Sequence, residues 1–135
     1  MSIEKDLISM ESDGKLSFGD YTLDTKSKQS DFEHNGDLYK VKTFKEITKL
    51  ERNDLFVYES VPGTAVNEFE TNSAGMEFIV KGEGTSQITV ELEGDTEYEV
   101  FINDESHGKM KTNMSGKLNL SLDFDNGTNK VKILK

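Results

Sequence analysis

The chain has 135 residues, 33% hydrophobic and 31% charged. That is material for one domain, or two very small ones, with a thin core and a heavily solvated surface. Twenty-six acidic residues against 16 basic ones leave a net charge of −10, which makes phosphate-rich partners poor ones: no nucleic acid and no anionic membrane. Cysteine is absent, so disulfides, thiolate metal sites and cysteine nucleophiles are ruled out together.

The opening MSIEKDLISM has no apolar run of signal-peptide length, and no later stretch approaches membrane-spanning length. As given, the chain reads as cytoplasmic and not inserted in a membrane. A mature form lacking its signal would look the same, so a cell-surface or phage-associated place stays open. Turn signals then punctuate the whole sequence, among them Asp13-Gly14, Asn35-Gly36, Pro62-Gly63, Gly82 to Gly84, Gly94-Asp95, His107-Gly108 and Asn126-Gly127. In the second half their intervals approach the spacing of about 8–12 residues expected of a sandwich or barrel. The segments between them predict strands at 4–11, 15–18, 21–24, 37–43, 55–61, 65–71, 76–81, 86–93, 97–103, 109–113, 117–124 and 129–134.

Thr43-Phe44-Lys45-Glu46 matches a capping box, with Phe44, Ile47 and Leu50 three apart, and predicts one short helix. A hairpin turning at Arg52-Asn53-Asp54 competes, because 47–50 also alternate as a strand. Leu55-Phe56-Val57-Tyr58 is apolar on both faces, as a covered central strand or a half-exposed binding face would be. The glycines around 82–84 mark the best internal boundary, dividing the chain into an N-terminal β lobe, 1–81, and a C-terminal lobe, 82–135, or else joining them in one continuous domain.

Beyond that joint the alternation is cleanest. Leu118, Leu120, Leu122 and Phe124 face one way, and Val131 and Ile133 repeat the pattern between lysines. The spacing Leu92, Thr96, Tyr98, Val100 is that of a tyrosine corner, a strand crossing of β-sandwiches. The fold class expected is therefore all-β: an antiparallel β-sandwich, immunoglobulin-like or jelly-roll-like, with two small lobes and one short helix allowed. A partly open barrel gives the same alternation.

Chemistry is harder to find. The only histidines, His34 and His107, sit in or beside turns, where solvation is the ordinary explanation. No nucleophile elbow, zinc-protease motif or phosphate-cradling loop occurs. Asp123 to Gly127 resembles the start of a calcium loop, but its glycine is one place early and Leu134 stands where the loop needs glutamate; a hairpin turn explains the same residues. No metal or other cofactor is implied. Asn113-Met114-Ser115 and Asn126-Gly127-Thr128 fit the glycosylation sequon, which means little without secretion. The candidate aromatic platforms for a sugar ring are Tyr21, Tyr39, Phe56 and Tyr58. Arg52 joins them as a binding candidate.

Three resemblances add to this reading. The corner from Ile88 onward resembles fibronectin-type and immunoglobulin-like modules, although Gly94 replaces their usual proline and three strands follow Tyr98. The segment YEVFINDESHGKMKTNMSGKLNLSLDF is similar to β-modules appended to carbohydrate-active enzymes. LSFGDYTL, DFEHNGDLYKVKTFKEITKLE, LFVYESVPGTAV and KMKTNMSGKL resemble a group of small acidic proteins from gut Firmicutes labelled endosialidase. Sialidases hold the sugar carboxylate with several arginines on a much longer propeller; Arg52 is the single arginine here, and lysine does not reproduce the guanidinium fork. Catalysis on sialosides by this chain alone is therefore not expected. The expected function is a non-catalytic binding or accessory module for carbohydrate, with a structural or assembly protein acting through protein contacts as the alternative.

Overall fold

The computed structural model describes residues 7–125 and 127–135. Its described residues form thirteen strands and no helix: β1 (Ile8–Met10), β2 (Leu16–Phe18), β3 (Ser27–His34), β4 (Asp37–Phe44), β5 (Ile47–Arg52), β6 (Leu55–Val61), β7 (Ala65–Asn72), β8 (Gly75–Lys81), β9 (Thr85–Glu91), β10 (Glu97–Ile102), β11 (Glu105–Lys111), β12 (Lys117–Asp123) and β13 (Thr128–Leu134). They make two antiparallel sheets, one ordered β1-β2-β7-β8-β13-β10-β11 and the other β12-β9-β6-β5-β4-β3. Among the described residues no helix is long and apolar enough to cross a membrane.

The sheets pack face to face through the inward residue of each alternating pair. Val41 and Leu50 of one sheet, and Val80, Val100, Val131 and Ile133 of the other, are sealed from solvent. Tyr58 on β6 lies at the centre, edge-on to Phe18 of β2 and Phe78 of β8, with ring centroids 5.3 and 5.6 Å apart. Such T-shaped contacts place the positive ring edge against the negative face. Leu118, Leu120, Leu122 and Phe124 all point inward, as their alternation predicts.

Strands from either side of the 81/82 joint are neighbours in both sheets: β9 pairs with β6, and β13 pairs with β8. The buried residues from Ile8 to Ile133 form one cluster.

Several local expectations are corrected. No helix forms at 43–50: Phe44 pairs with Ile47 across a two-residue turn, and Thr48 and Leu50 face the core as β5. The Thr43 hydroxyl, free to cap a helix in the sequence, instead accepts the Asp20 N–H at 2.9 Å and meets the Thr48 hydroxyl at 2.8 Å. The competing turn forms, with Asn53 and Asp54 both at positive φ, the geometry of a type I′ hairpin. Residues 21–24 are irregular, and the strand lies later, as β3. Its sequence SKQSDFEH shows no apolar alternation because it is a sheet edge, bulged where Asp31 adopts φ 58°. His107-Gly108 is no turn but a bulge within β11. The segment 123–127 is no hairpin, since β12 and β13 belong to different sheets. The part of the expected first strand before Leu7, and Asn126 with its sequon, lie outside the described residues.

Of the twelve connections, six are hairpins and six pass from one sheet to the other. The six crossings are unevenly placed. Four of them, β2 to β3, β6 to β7, β8 to β9 and β12 to β13, lie at one end of the sandwich, named here the Pro62 end. The other two, β9 to β10 and β11 to β12, lie together at the opposite end, named the Arg52 end.

Candidate binding cleft at the Arg52 end

The Pro62 end is closed by buried hydroxyl groups. The β6–β7 crossing runs through a cis Val61–Pro62 bond to Gly63, where a Cβ would drive into the Phe44 carbonyl oxygen. Behind it, the Thr64 hydroxyl meets those of Tyr58 (2.8 Å) and Ser60 (2.7 Å). The Thr64 N–H donates to Thr48 Oγ1 (3.1 Å), which donates in turn to the Thr64 carbonyl (2.9 Å). With its one proton so committed, Thr48 must accept from Thr43. No buried side-chain polar atom among the described residues lacks a partner. Burial pushes the Tyr58 hydroxyl far above its ordinary value of 10.0, and the bonds to Thr64 and Ser60 offset this only in part.

The Arg52 end is sewn shut on one side only. There the Tyr98 hydroxyl accepts the Glu93 N–H at 3.2 Å, the bond a tyrosine corner requires. Leu92 N–H donates to the Gly116 carbonyl (2.8 Å) and Asp95 N–H to that of Asn113 (3.0 Å), so the two crossings at this end brace each other. Over the remaining strands the chain returns within the same sheet, through the turns joining β1–β2, β3–β4, β5–β6 and β7–β8. Within one sheet, Asn53 Nδ2 of the β5–β6 turn donates to Asp37 Oδ1 beside the β3–β4 turn at 2.9 Å. Between tips of opposite sheets, His34 Nε2 donates to the Gly14 carbonyl at 2.8 Å, with the His34 ring edge-on to Tyr39.

Two openings result. The larger, of about 410 Å³, is bordered by Lys15, His34, Asp37, Tyr39 and Glu70. The smaller, of about 270 Å³, is bordered by Phe56, Asn72, Glu91, Glu93 and Tyr98. Arg52 and Thr71 line both and stand between them.

Three of the four residues singled out by sequence meet here. Arg52, the last residue of β5, is paired in register with Tyr39 on β4 and with Leu55 on β6, next to Phe56. It is half-buried, and no hydrogen bond or ion pair engages its guanidinium among the described residues. Eight lysines, by contrast, have acidic partners: Lys15, Lys40, Lys45, Lys49, Lys117, Lys130, Lys132 and Lys135. Tyr39 borders the larger opening but is 4% exposed. Phe56 is half-buried, and its ring is covered by the Lys117 ammonium 4.7 Å from the centroid. Tyr58 is wholly buried in the core and offers no face to a ligand. The exposed aromatic platform expected of Tyr39, Phe56 and Tyr58 is therefore not formed; what gathers is a polar cleft around one arginine.

Near the cleft mouth, Asp13 is held below the ordinary carboxylate range, first by the Lys15 N–H (3.0 Å) and then by Glu68. Its hydrogen bond with Asp13 raises Glu68 in turn, so the two carboxyls titrate together. Among the described residues no group of three or more acidic or histidine side chains is placed to hold a metal ion. His107 is solvent-facing, 3.8 Å from Glu105. A wider, shallow groove of about 580 Å³ lies at the Pro62 end, beside Tyr21, Val61 and Pro62. Its lysine, Lys45, is already paired with Asp24 at 3.9 Å.

Sequence reasoning passed over His34 as a bridge, and Thr71 altogether. Neither carries a local signal, because both depend on which turns cross between sheets. No family model, curated protein or solved structure matches the chain.

Proposed function

We propose that this chain is a non-catalytic binding module for carbohydrate, seated in the cleft at the Arg52 end. The observation that carries this reading is the half-buried, unpartnered guanidinium of Arg52 between two polar openings, with Tyr39 and Thr71 beside it. Small-molecule sites are concave and carry a few well-placed polar groups. The placement of the two histidines supports a binding role over a catalytic one: His34 Nε2 is engaged by Gly14, and His107 stands in solvent. NMR titration with a panel of neutral and acidic glycans tests the proposal. Shifts clustered on His34, Arg52 and Thr71 are expected, and a flat response across the panel overturns it.

A second reading, an assembly protein acting through protein contacts, is favoured by β11. The seven-stranded sheet outnumbers its partner by one strand, and all seven residues of β11 are exposed. A free edge strand can pair with another chain. Sedimentation over a concentration series decides: a stable oligomer supports this reading, and a strict monomer removes it.

A further inference from the structure

We infer that Arg52 is the anchor for one carboxylate group of the ligand, an inference that rests on the cleft being the binding seat. In a chain of net charge −10, five of the six half-buried lysines among the described residues, Lys15, Lys40, Lys49, Lys117 and Lys132, have an acidic neighbour, Lys42 being the exception. Arg52 does not, although Asp37, Glu70, Glu91 and Glu93 line the same openings. Three of those carboxylates are already engaged: Asp37 with the Asn53 amide at 2.9 Å, Glu91 with Lys117 at 3.1 Å and Glu93 with Lys135 at 2.7 Å. The guanidinium fork is thus left with its donors unsatisfied and partly withdrawn from water.

The shape and charge of the site select the group that fits. A guanidinium presents parallel N–H donors that match the two oxygens of a carboxylate. The acidic walls repel a second negative charge, so a phosphate monoester, close to a dianion at neutral pH, fits worse than a single carboxylate. Openings of about 410 and 270 Å³ on either side leave room for a ring attached to that carboxylate. On the larger side the ring would meet Tyr39 and His34, and on both sides the Thr71 hydroxyl. The carboxylate can belong to an acidic sugar or to a simple organic acid. The shared chemistry is the anion, and the test separates the two sources.

Because Arg52 is the only arginine, the chain has a single Nε–Hε resonance, which reports on this site alone. It is followed by nitrogen–proton correlation spectra during titration with methyl glucuronide, methyl glucoside, propionate and glucose 6-phosphate. Methyl glucuronide is expected to move it saturably, with an affinity roughly tenfold above that of methyl glucoside. The two variants lack this resonance, so their affinities are read from the backbone amides of His34 and Thr71, where Arg52→Lys is expected to abolish that advantage. Glucose 6-phosphate should bind more weakly than the glucuronide. Equal binding of glucuronide and glucoside, or an advantage that survives in Arg52→Lys and Arg52→Gln, overturns the carboxylate anchor while leaving the glycan-binding proposal intact. Propionate matching the glucuronide keeps the anchor and instead counts against carbohydrate as its source. Phosphate binding best overturns the choice of a singly charged group. Both variants are first shown to keep the wild-type melting temperature.

Discussion

At the Pro62 end four chain crossings join the sheets, and the space between them is filled by Thr43, Thr48, Tyr58, Ser60 and Thr64, hydroxyl to hydroxyl. At the Arg52 end only two crossings exist, both on the β9–β12 side, and over the other strands a histidine bond joins hairpin tips of opposite sheets. The same two sheets are thus closed at one end and left open at the other. A hairpin keeps its residues within one sheet, so it cannot plug the gap between two. Where topology supplies hairpins, it supplies a cleft. Residues at the closed end should therefore matter to stability, and those at the open end to binding.

The largest expected effect tests the closed end. Thr48→Val deletes the hydroxyl that accepts the Thr64 N–H and donates to the Thr64 carbonyl, leaving both buried without that partner. Each orphaned buried group costs about 1–3 kcal/mol, so the variant should lose about 3 kcal/mol in urea unfolding. A loss below about 1 kcal/mol would show that the end is not sealed by this network.

Tyr58→Phe comes next, because Tyr58 contributes only one of the three hydroxyls around Thr64. About 1–2 kcal/mol is expected at neutral pH. Its sharper signature is alkaline. The folded-state value of Tyr58 is raised above 10.0, so the unfolded chain gives up this proton first. The stabilisation is complete below pH 10 and is lost as pH climbs from there toward the folded-state value. Wild-type stability should fall by up to about 1.4 kcal/mol per pH unit from this group, and Tyr58→Phe should lack that part of the slope. Parallel alkaline limbs in the two proteins would show that Tyr58 is not shielded.

Tyr98→Phe probes the one sewn corner of the open end. Losing the bond from Glu93 N–H should cost about 0.5–1.5 kcal/mol. Hydrogen exchange should quicken at Glu93 and leave the Thr64 amide unchanged. If both amides quicken together, the two ends are not independent.

How much of this was legible beforehand follows from where each signal resides. Strands with one buried face announced themselves, as in Leu118-Asn119-Leu120-Ser121-Leu122, because a period of two survives in the sequence. Tyr98 was legible too, since a corner fixes spacing within one short segment. β3 was not, because both its faces are wet and Phe32 alone packs on the core. The false helix at 43–50 arose because a capping box and a strand turn share residues, and only the contact from Asp20, far off in sequence, decides between them. Tyr58 read as a possible platform because a bulge opposite β5 puts Val57 and Tyr58 both inside, which breaks the alternation. Arg52 was noticed as the only arginine. Its lack of a partner is a fact of three dimensions.

Arg52→Gln should have the smallest effect on stability, and for that reason it is the most telling. Replacing it removes no hydrogen bond or ion pair among the described residues and leaves no buried group orphaned, so the change should lie within about 0.5 kcal/mol of zero. Any lean is toward a small loss, since Asp37 and Glu70 border the same opening and attract the guanidinium at longer range. A urea midpoint in low and in high salt measures both parts: the contact term, expected to be nil, and the screened attraction, expected to fade with salt. A loss above about 1 kcal/mol would mean that Arg52 is part of the scaffold. The open end would then be held by charge, as the closed end is held by hydroxyls, and its cleft would owe its shape to the residue we assign to the ligand.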